Sequence, residues 1–441
     1  MGELESQGLL RAMGRWTLTA LVINSIIGSG IFGLPSVVAG YIGRLSPLAY
    51  LVAAAGIGVV IACFAEVASQ FGMAGGPYLY ARETFGRFTG IEIAWLLWLV
   101  RLTAAAAAAN LFIDYLAEFW PRVQEPGARL LVLAVLIGFI AAVNVHGVKS
   151  GAAISNFFTG AKLLPLILFV AAGGVYLARS HPVISIGLQS ATASVPLRNW
   201  LEAVLVLMFA YGGFEGAVVP MAEAKDPRRD APFALFFAMV VVTLLFCAIQ
   251  YVVVVVLPSA SETDRPLAAA ARQIYGTSGA LLISTGALIS LYGYLSAQML
   301  HTPRLTFALG ENGDFPRFFA RIHQRYRTPH ISIAVFAGIV WCLAAAGNFR
   351  WNVILSSVGR LFVYGATCAA LPVLRRKNPG AEAYRLPAGN FLAALGVLFM
   401  LLLATRMSRG EGFVILATMS IALTNWLWAR ILHKAAAGHS R

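Results

Sequence analysis

Charged residues are scarce in this chain: Asp, Glu, Lys and Arg make up 12% of it, whereas soluble domains contain roughly 25%. So few charges exclude an ordinary soluble globular protein. Hydrophobic residues make up 59% of the chain, and apolar windows of about 20 residues, the length of a helix that crosses a bilayer, recur along it. The composition therefore predicts an all-α integral membrane protein.

Cysteines and catalytic motifs are also few. The four cysteines lie within apolar segments and none has the spacing of metal ligands, which argues against a disulfide framework or a zinc site. The sequence has no HExxH motif, no GxSxG motif and no phosphate-binding loop, which argues against ATP coupling and against a membrane enzyme, the alternative class. We predict no enzymatic activity, no cofactor and no metal.

Basic residues exceed acidic ones by 14, but they are spread over short loops, so we predict no nucleic-acid partner. Membrane orientation explains them better. If both termini are cytoplasmic, the densest basic segments, 225–229, 304–327 and 375–385, lie inside, as the positive-inside rule requires. The amino terminus lacks a cleavage site, so the first span is expected to be retained. We predict a multi-pass protein of the inner (cytoplasmic) membrane, with lipid around it.

Hydropathy predicts twelve transmembrane spans. Their expected bounds are 16–41, 46–70, 89–119, 129–147, 152–177, 199–222, 232–257, 277–304, 331–346, 351–373, 391–406 and 412–432.

Two spans are interrupted in their middle. Span 1 contains NSIIGSGIFGLPS, from Asn24 to Ser36, and span 6 contains FAYGGFEG, from Phe209 to Gly216. Glycine weakens a helix, and backbone groups freed inside a bilayer need a partner from protein, water or ligand. Close helix packing is the alternative reason for such small residues. Because the interruptions lie five spans apart, they favour an inverted repeat with broken helices.

This repeat gives the predicted organisation. A first repeat covers residues 16–177 and a second covers 199–373. Two appended helices cover 391–432, and cytoplasmic segments cover 1–15 and 433–441. We therefore predict a five-plus-five core followed by spans 11 and 12.

Three motifs in this order carry a family resemblance: GSGIF at 28–32, FAYGGFE with AEAKDPRRDAP at 209–232, and PRLTFALGENGDFPRFFARIHQRYRTPHISI at 303–333. The chain resembles the amino acid, polyamine and organocation transporter superfamily over its first ten helices. The resemblance implies a LeuT-type fold with alternating access and transport of an amino acid or related amine.

Half-helix ends at the first interruption suit a zwitterion. The N–H groups of Ser29, Gly30 and Ile31 suit a carboxylate, and the carbonyls of Ile26 and Ile27 suit an ammonium group. The resemblance implies that these are the substrate's α-carboxylate and α-amino contacts. The carbonyls of Gly28 and Ile31, together with Ser290, fall where relatives build a cation site.

At the second interruption, carbonyls near Phe209, Ala210 and Gly212 would complete the amine site. The resemblance implies that the Phe209 ring closes over the substrate, although simple packing is the alternative. Glu215 is an ionisable group at membrane depth and therefore needs a functional or structural reason. It is expected either to carry a proton or to pair with a buried cation. Tyr292 in span 8 is expected to line the pocket, because only one of Tyr292 and Tyr294 can face it.

Three cations lie inside spans. Lys162 in span 5 resembles the lysine that replaces a sodium ion in some relatives, which implies a role in proton coupling; a fixed ion pair is the alternative. Arg101 and Arg360 need acidic partners, and the candidates are Asp114, Glu92, Glu66 and Glu215. These pairs are structural unless Arg101 faces the cavity, in which case a carboxylated substrate is favoured.

The sequence thus predicts a secondary amino acid transporter, with neutral amino acids as substrates and a proton in place of sodium. The alternative is a sodium-independent exchanger of a cationic amino acid or a polyamine. The residues do not choose between symport and exchange, and they do not fix the oligomeric state.

Overall fold

A computed structural model describes residues 13–71, 75–147, 152–180, 195–217, 226–379 and 384–438. Several expected features lie partly outside these residues, namely the two terminal segments, span 6 beyond residue 217 and the basic segments at 225–229 and 375–385. The helices in chain order are α1 Arg15–Ile26, α2 Gly30–Ile42, α3 Ser46–Ser69, α4 Gly76–Phe85, α5 Arg87–Leu116, α6 Pro126–His146, α7 Ala152–Ser180, α8 Leu197–Ala210, α9 Phe214–Ala217, α10 Pro227–Val256, α11 Pro266–Glu311, α12 His330–Ala346, α13 Phe349–Lys377, α14 Gly389–Ala404 and α15 Arg409–Gly438.

Local sequence accounts for several of these helix ends. Proline lies in the first turn of α3, α4, α6, α10 and α11, where its missing N–H costs no helical hydrogen bond. Asn348 caps α13, because its side chain accepts a hydrogen bond from the N–H of Trp351 at 2.9 Å. Gly86, at φ +96°, separates α4 from α5. The helix α4 between spans 2 and 3 was not expected from the hydropathy.

Nine stretches of the described residues are long and apolar enough to cross a membrane, and the shorter helices α12 and α14 are also apolar. Burial differs sharply among them. The apolar window of α5 is 89% buried, whereas those of α7 and α15 are each 17% buried. Large apolar side chains such as Phe413, Leu416 and Trp428 are exposed on α15. Exposed apolar faces of a membrane protein contact lipid. Helices α7 and α15 are therefore peripheral, whereas the buried helix α5 is central.

The helices that surround α5 position the interruptions. Helix α13 packs most extensively on α5, and α11 also packs on it. Helices α1 and α10 pack together, as do α2 and α8. Helix α11 has a kink at Tyr275 and Gly276 and continues beyond the expected span 8 at both ends.

An ion cluster forms at Asp314, near the end of α11. The buried carboxylate of Asp314 accepts hydrogen bonds from Arg82 Nη1 at 2.9 Å, from Arg87 Nε at 2.7 Å and from the Tyr78 hydroxyl. Burial and the adjacent Asp314 raise the pKa of Tyr78 to about 12. The Tyr78 hydroxyl therefore stays protonated near neutral pH and keeps donating its hydrogen bond.

Candidate functional site

The first helix break lies where the glycine-rich stretch predicts it. Helix α1 ends at Ile26, α2 begins at Gly30, and Ile27 has non-helical dihedral angles (φ −71°, ψ 89°). Ser29 is the N-cap residue of α2, but its side chain makes no capping hydrogen bond. Its hydroxyl is buried and has no hydrogen-bond partner among the described residues. A serine at the N-cap position usually accepts a hydrogen bond from the first turn of its helix. The Ser29 hydroxyl does not, so it remains available to a ligand.

Lys162 on α7 reaches the carbonyl end of α1. Its Nζ donates hydrogen bonds to the carbonyl oxygens of Asn24 at 2.6 Å and of Ile27 at 2.8 Å. The last carbonyls of a helix lack partners within it and carry the negative end of the helix dipole. The ammonium group therefore stabilises the broken end of α1, and it already occupies one of the two carbonyls expected to hold the substrate's amine.

The second break lies between α8 and α9, at Tyr211, Gly212 and Gly213. Gly213 has φ +110°, a conformation that favours glycine. A Cβ atom at Gly213 would overlap the carbonyl oxygen of Ser25 on α1. The two breaks therefore lie against each other, and this close approach needs a glycine.

The carboxylate of Glu215 organises the second break. Its Oε2 accepts hydrogen bonds from the N–H of Gly213 at 2.7 Å and from the Tyr364 hydroxyl at 2.9 Å. Its Oε1 lies 3.8 Å from both Arg101 Nη2 and Arg360 Nε. Of the four candidate partners, Glu215 is thus the one paired with both arginines. Glu66 instead forms a bidentate pair with Arg375, at 2.7 and 2.6 Å.

Arg360 fills the space beside the second break. Its guanidinium carbon lies 5.4 Å from the centroid of the Phe209 ring, and its Nη1 donates to the Ser356 hydroxyl at 2.5 Å. A Cβ atom at Gly212 would overlap this guanidinium. The space that the missing side chain of Gly212 leaves therefore holds an arginine head group.

Phe209 connects the arginine to the first break. Its ring lies 3.3 Å from the position of a Cβ atom on Gly30 and forms an edge contact with Phe349, at 6.4 Å between centroids. Ala210 follows it as the last residue of α8, and a Cβ atom on Gly30 would lie 3.2 Å from its Cα. Both residues therefore border the break in span 1, and their contacts to substrate stay predictions.

On α11, Tyr294 is the tyrosine that faces the first break. Its ring lies 3.2 Å from the position of a Cβ atom on Gly28, and its hydroxyl accepts a hydrogen bond from Gln298 Nε2 at 3.0 Å. Tyr292 is half-buried and packs against the core, and Ser290 is buried. The roles of Tyr292 and Ser290 stay predictions. Sequence reasoning also missed Tyr364 and Ser356. A polar side chain within an apolar span is the one sequence feature that points to them.

Comparison with known proteins now adds to this geometry. The model of the amino acid permease family matches residues 13–424 of the chain. The chain belongs to this family. The family resemblance expected from the three sequence motifs is therefore confirmed.

The chain is similar to several transporters over nearly its full length. It is 27% identical over 408 residues to a serine/threonine exchanger of Bacillus subtilis, covering 89% of this chain and 90% of the exchanger. It is 24% identical over 418 residues to a branched-chain amino acid permease of the same organism, covering 90% and 88%. It is 26% identical over 437 residues to an arginine/agmatine antiporter of Chlamydia abortus, covering 93% and 88%.

Family membership establishes a multi-pass membrane permease and not an enzyme. The relatives include both exchangers and permeases.

Proposed function

We propose that this chain is a secondary active transporter that moves an amino acid across the plasma membrane by alternating access. The observation that carries the proposal is the contact between the two helix breaks, where Gly213 lies against Ser25 and the Ser29 hydroxyl is left without a partner. The proposed architecture has twelve spans in a LeuT-type five-plus-five arrangement. It lies in a bacterial-type inner membrane, with both termini on the cytoplasmic side.

The α-carboxylate of the substrate binds at the first break. The N–H groups of Ser29, Gly30 and Ile31 lie at the start of α2, where the first N–H groups have no partner within the helix. The Ser29 hydroxyl adds a further donor. Together these groups form an anion site at the positive end of a half-helix.

The α-ammonium group binds between the two breaks. Carbonyls at the C-terminal end of α8, near Phe209, Ala210 and Gly212, are proposed to accept from this group together with the carbonyl of Ile26. The Phe209 carbonyl also accepts from the Gly212 N–H at 3.2 Å. The Ile27 carbonyl is less accessible, because Lys162 donates to it. Phe209 then covers the bound zwitterion as an aromatic lid.

Lys162 supplies the positive charge that a sodium ion would otherwise supply. Its hydrogen bonds join α7 to the end of α1, so loss of its proton would release one helix from the other. This contact supports proton-coupled uptake as the first candidate mechanism. Exchange is the second candidate, and the names of the serine/threonine exchanger and the arginine/agmatine antiporter favour it.

Uptake into proteoliposomes tests the proposal. We expect a labelled amino acid to accumulate either when an inward proton gradient is imposed, which indicates symport, or only when the lumen is preloaded with amino acid, which indicates exchange. Ser29→Leu should abolish binding, because it blocks the anion site. Ser420→Leu is the matched control, since Ser420 is exposed on α15.

The absence of uptake or binding for all twenty amino acids and common polyamines would overturn the proposal. Unchanged affinity in Ser29→Leu would overturn the assignment of the first break.

A further inference from the structure

The charges at the second break do not balance. Two guanidinium groups, those of Arg101 and Arg360, face one carboxylate, that of Glu215, and both lie 3.8 Å from the same oxygen atom. Glu215 and Arg360 are almost fully buried, with side-chain exposures of 1% and 4%. Within the part of the chain that the structure describes, the cluster therefore carries one excess positive charge in the protein interior.

The excess charge is also poorly satisfied by hydrogen bonds. At 3.8 Å, neither arginine is within hydrogen-bond distance of Glu215 Oε1, and that oxygen and Arg360 Nε both lack a hydrogen-bond partner among the described residues. Arg101 makes no hydrogen bond to any side chain or carbonyl in the described part of the chain, and it retains 21% exposure. Guanidinium groups are strong bidentate donors to carboxylates. Their unused donors indicate a missing anionic partner.

The location of these donors connects them to the transport site. The Arg360 guanidinium lies beside the Phe209 ring, and that ring contacts Gly30 at the first break. Arg101 approaches from α5, the central helix, and its Nη2 lies 3.2 Å from the position of a Cβ atom on Gly216. The Phe209 ring thus contacts both Gly30 and the Arg360 guanidinium, so a side chain that extends past this ring from a head group at Ser29 and Gly30 would meet the arginine pair.

We infer that the substrate carries a second carboxylate on its side chain, as in aspartate or glutamate, and that Arg101 and Arg360 bind that carboxylate. This inference rests on the proposed function, because it places an amino acid head group at the breaks. The second carboxylate neutralises the excess charge and satisfies the free donors. A cationic amino acid or polyamine would add like charge to the cluster and is disfavoured. The inference also replaces the neutral substrate expected from the sequence.

Competition between isosteric pairs tests the inference. Glutamate against glutamine and aspartate against asparagine differ in charge but hardly in shape. In the wild-type protein we expect one of the two acids to displace bound substrate at a roughly tenfold lower concentration than its amide, since the amide leaves the arginine charge unpaired. In Arg101→Gln this ratio should fall to about one, and in Arg101→Lys, which keeps the charge, a preference for the acid should remain.

Arg122→Gln is the matched control, because Arg122 is exposed on the short 3-10 helix Pro121–Gln124 between α5 and α6 and its loss should leave the ratio unchanged. The wild-type ratio is informative even if Arg101→Gln does not fold. Amides that compete as well as the acids in the wild-type protein, or a ratio that survives in folded Arg101→Gln, would overturn the inference. Binding of neutral amino acids alone would leave the proposed function standing, whereas binding of no amino acid would overturn both.

Discussion

The two helix breaks are stabilised by side chains of opposite charge. At the first break, the ammonium group of Lys162 donates to carbonyls at the end of α1. At the second, the carboxylate of Glu215 accepts from the N–H of Gly213. At the first break the protein itself thus supplies a donor to backbone carbonyls, and at the second it supplies an acceptor to a backbone N–H.

The difference indicates which groups the proposed site leaves for a ligand. In that proposal the first break offers a carboxylate the N–H groups at the start of α2 and the Ser29 hydroxyl, which has no partner among the described residues. The second offers an ammonium group the carbonyls at the end of α8. A zwitterion would then bind in one direction, with its carboxylate at the first break and its ammonium group toward the second.

The contact between the breaks gives the largest expected effect. In Gly213→Ala, the new Cβ atom meets the Ser25 carbonyl oxygen and the residue is strained at φ +110°, so we expect transport to fall by roughly two orders of magnitude. Gly138→Ala on α6 is the control, because its Cβ atom would meet nothing within 4 Å. Both variants are assayed by uptake after gel filtration confirms folding. Wild-type transport in Gly213→Ala would show that the breaks need not touch.

Loss of the ammonium group at the first break is expected to be the next most damaging. Lys162→Met leaves two partly buried carbonyls without this donor, and charge-assisted hydrogen bonds contribute about 1.5–3 kcal/mol each. We expect gradient-driven uptake to fall by at least tenfold while exchange in preloaded vesicles persists.

Lys377→Met is the matched control for this variant. Lys377 also donates to helix-end carbonyls, those of Glu83 and Thr84, but at the end of α4, outside the two breaks. Its loss should change uptake little. If Lys162→Met and Lys377→Met behaved alike, Lys162 would have only a capping role.

The free hydroxyl at the first break predicts a smaller effect on affinity. Ser29→Ala removes one donor to the substrate carboxylate, so we expect KM to rise by about tenfold, equivalent to about 1.4 kcal/mol. Ser36→Ala provides the comparison, because the Ser36 hydroxyl donates to the Gly33 carbonyl at 3.0 Å within the same helix. A KM that is equal in the two variants would remove Ser29 from the site.

The smallest expected effect concerns the second break. Tyr364→Phe deletes one hydrogen bond to Glu215 but leaves the bond from the Gly213 N–H, so the melting temperature in detergent should fall by a few degrees. Tyr115→Phe should lower it less, because the Tyr115 hydroxyl donates to the neutral carbonyl of Phe32 at 2.8 Å, and bonds to charged acceptors are stronger. The reverse order would show that Glu215 is not ionised in the folded protein.

Local sequence was sufficient to predict the breaks. Glycine weakens a helix, and Gly28 and Gly213 lie in the non-helical segments, whereas Gly30 and Gly33 of the same motif lie inside α2. Lys162 was singled out by its resemblance to the lysine that replaces a sodium ion in some relatives, and its coupling role stays a prediction. Its acceptors, Asn24 and Ile27, are the carbonyls that the broken end of α1 exposes.

Contacts between distant helices could not be predicted in the same way. Arg101, Glu215 and Arg360 lie more than 100 residues apart along the chain, and four carboxylates were equally plausible partners. The choice between Tyr292 and Tyr294 depends on the rotation of α11 about its axis, which is set by packing and not by spacing. The role of Tyr364 depends on the same kind of information.

The carboxylate of Asp314 also links parts of the chain that are remote in sequence. It is held by Tyr78 and Arg82 of α4 and by Arg87 of α5, and its backbone carbonyl accepts from Asn425 of α15 at 2.6 Å. Because one residue bonds two helices through its carboxylate and a third through its backbone carbonyl, these elements are coupled mechanically at the end of α11. A helix that moves relative to Asp314 must break its own bonds to this residue.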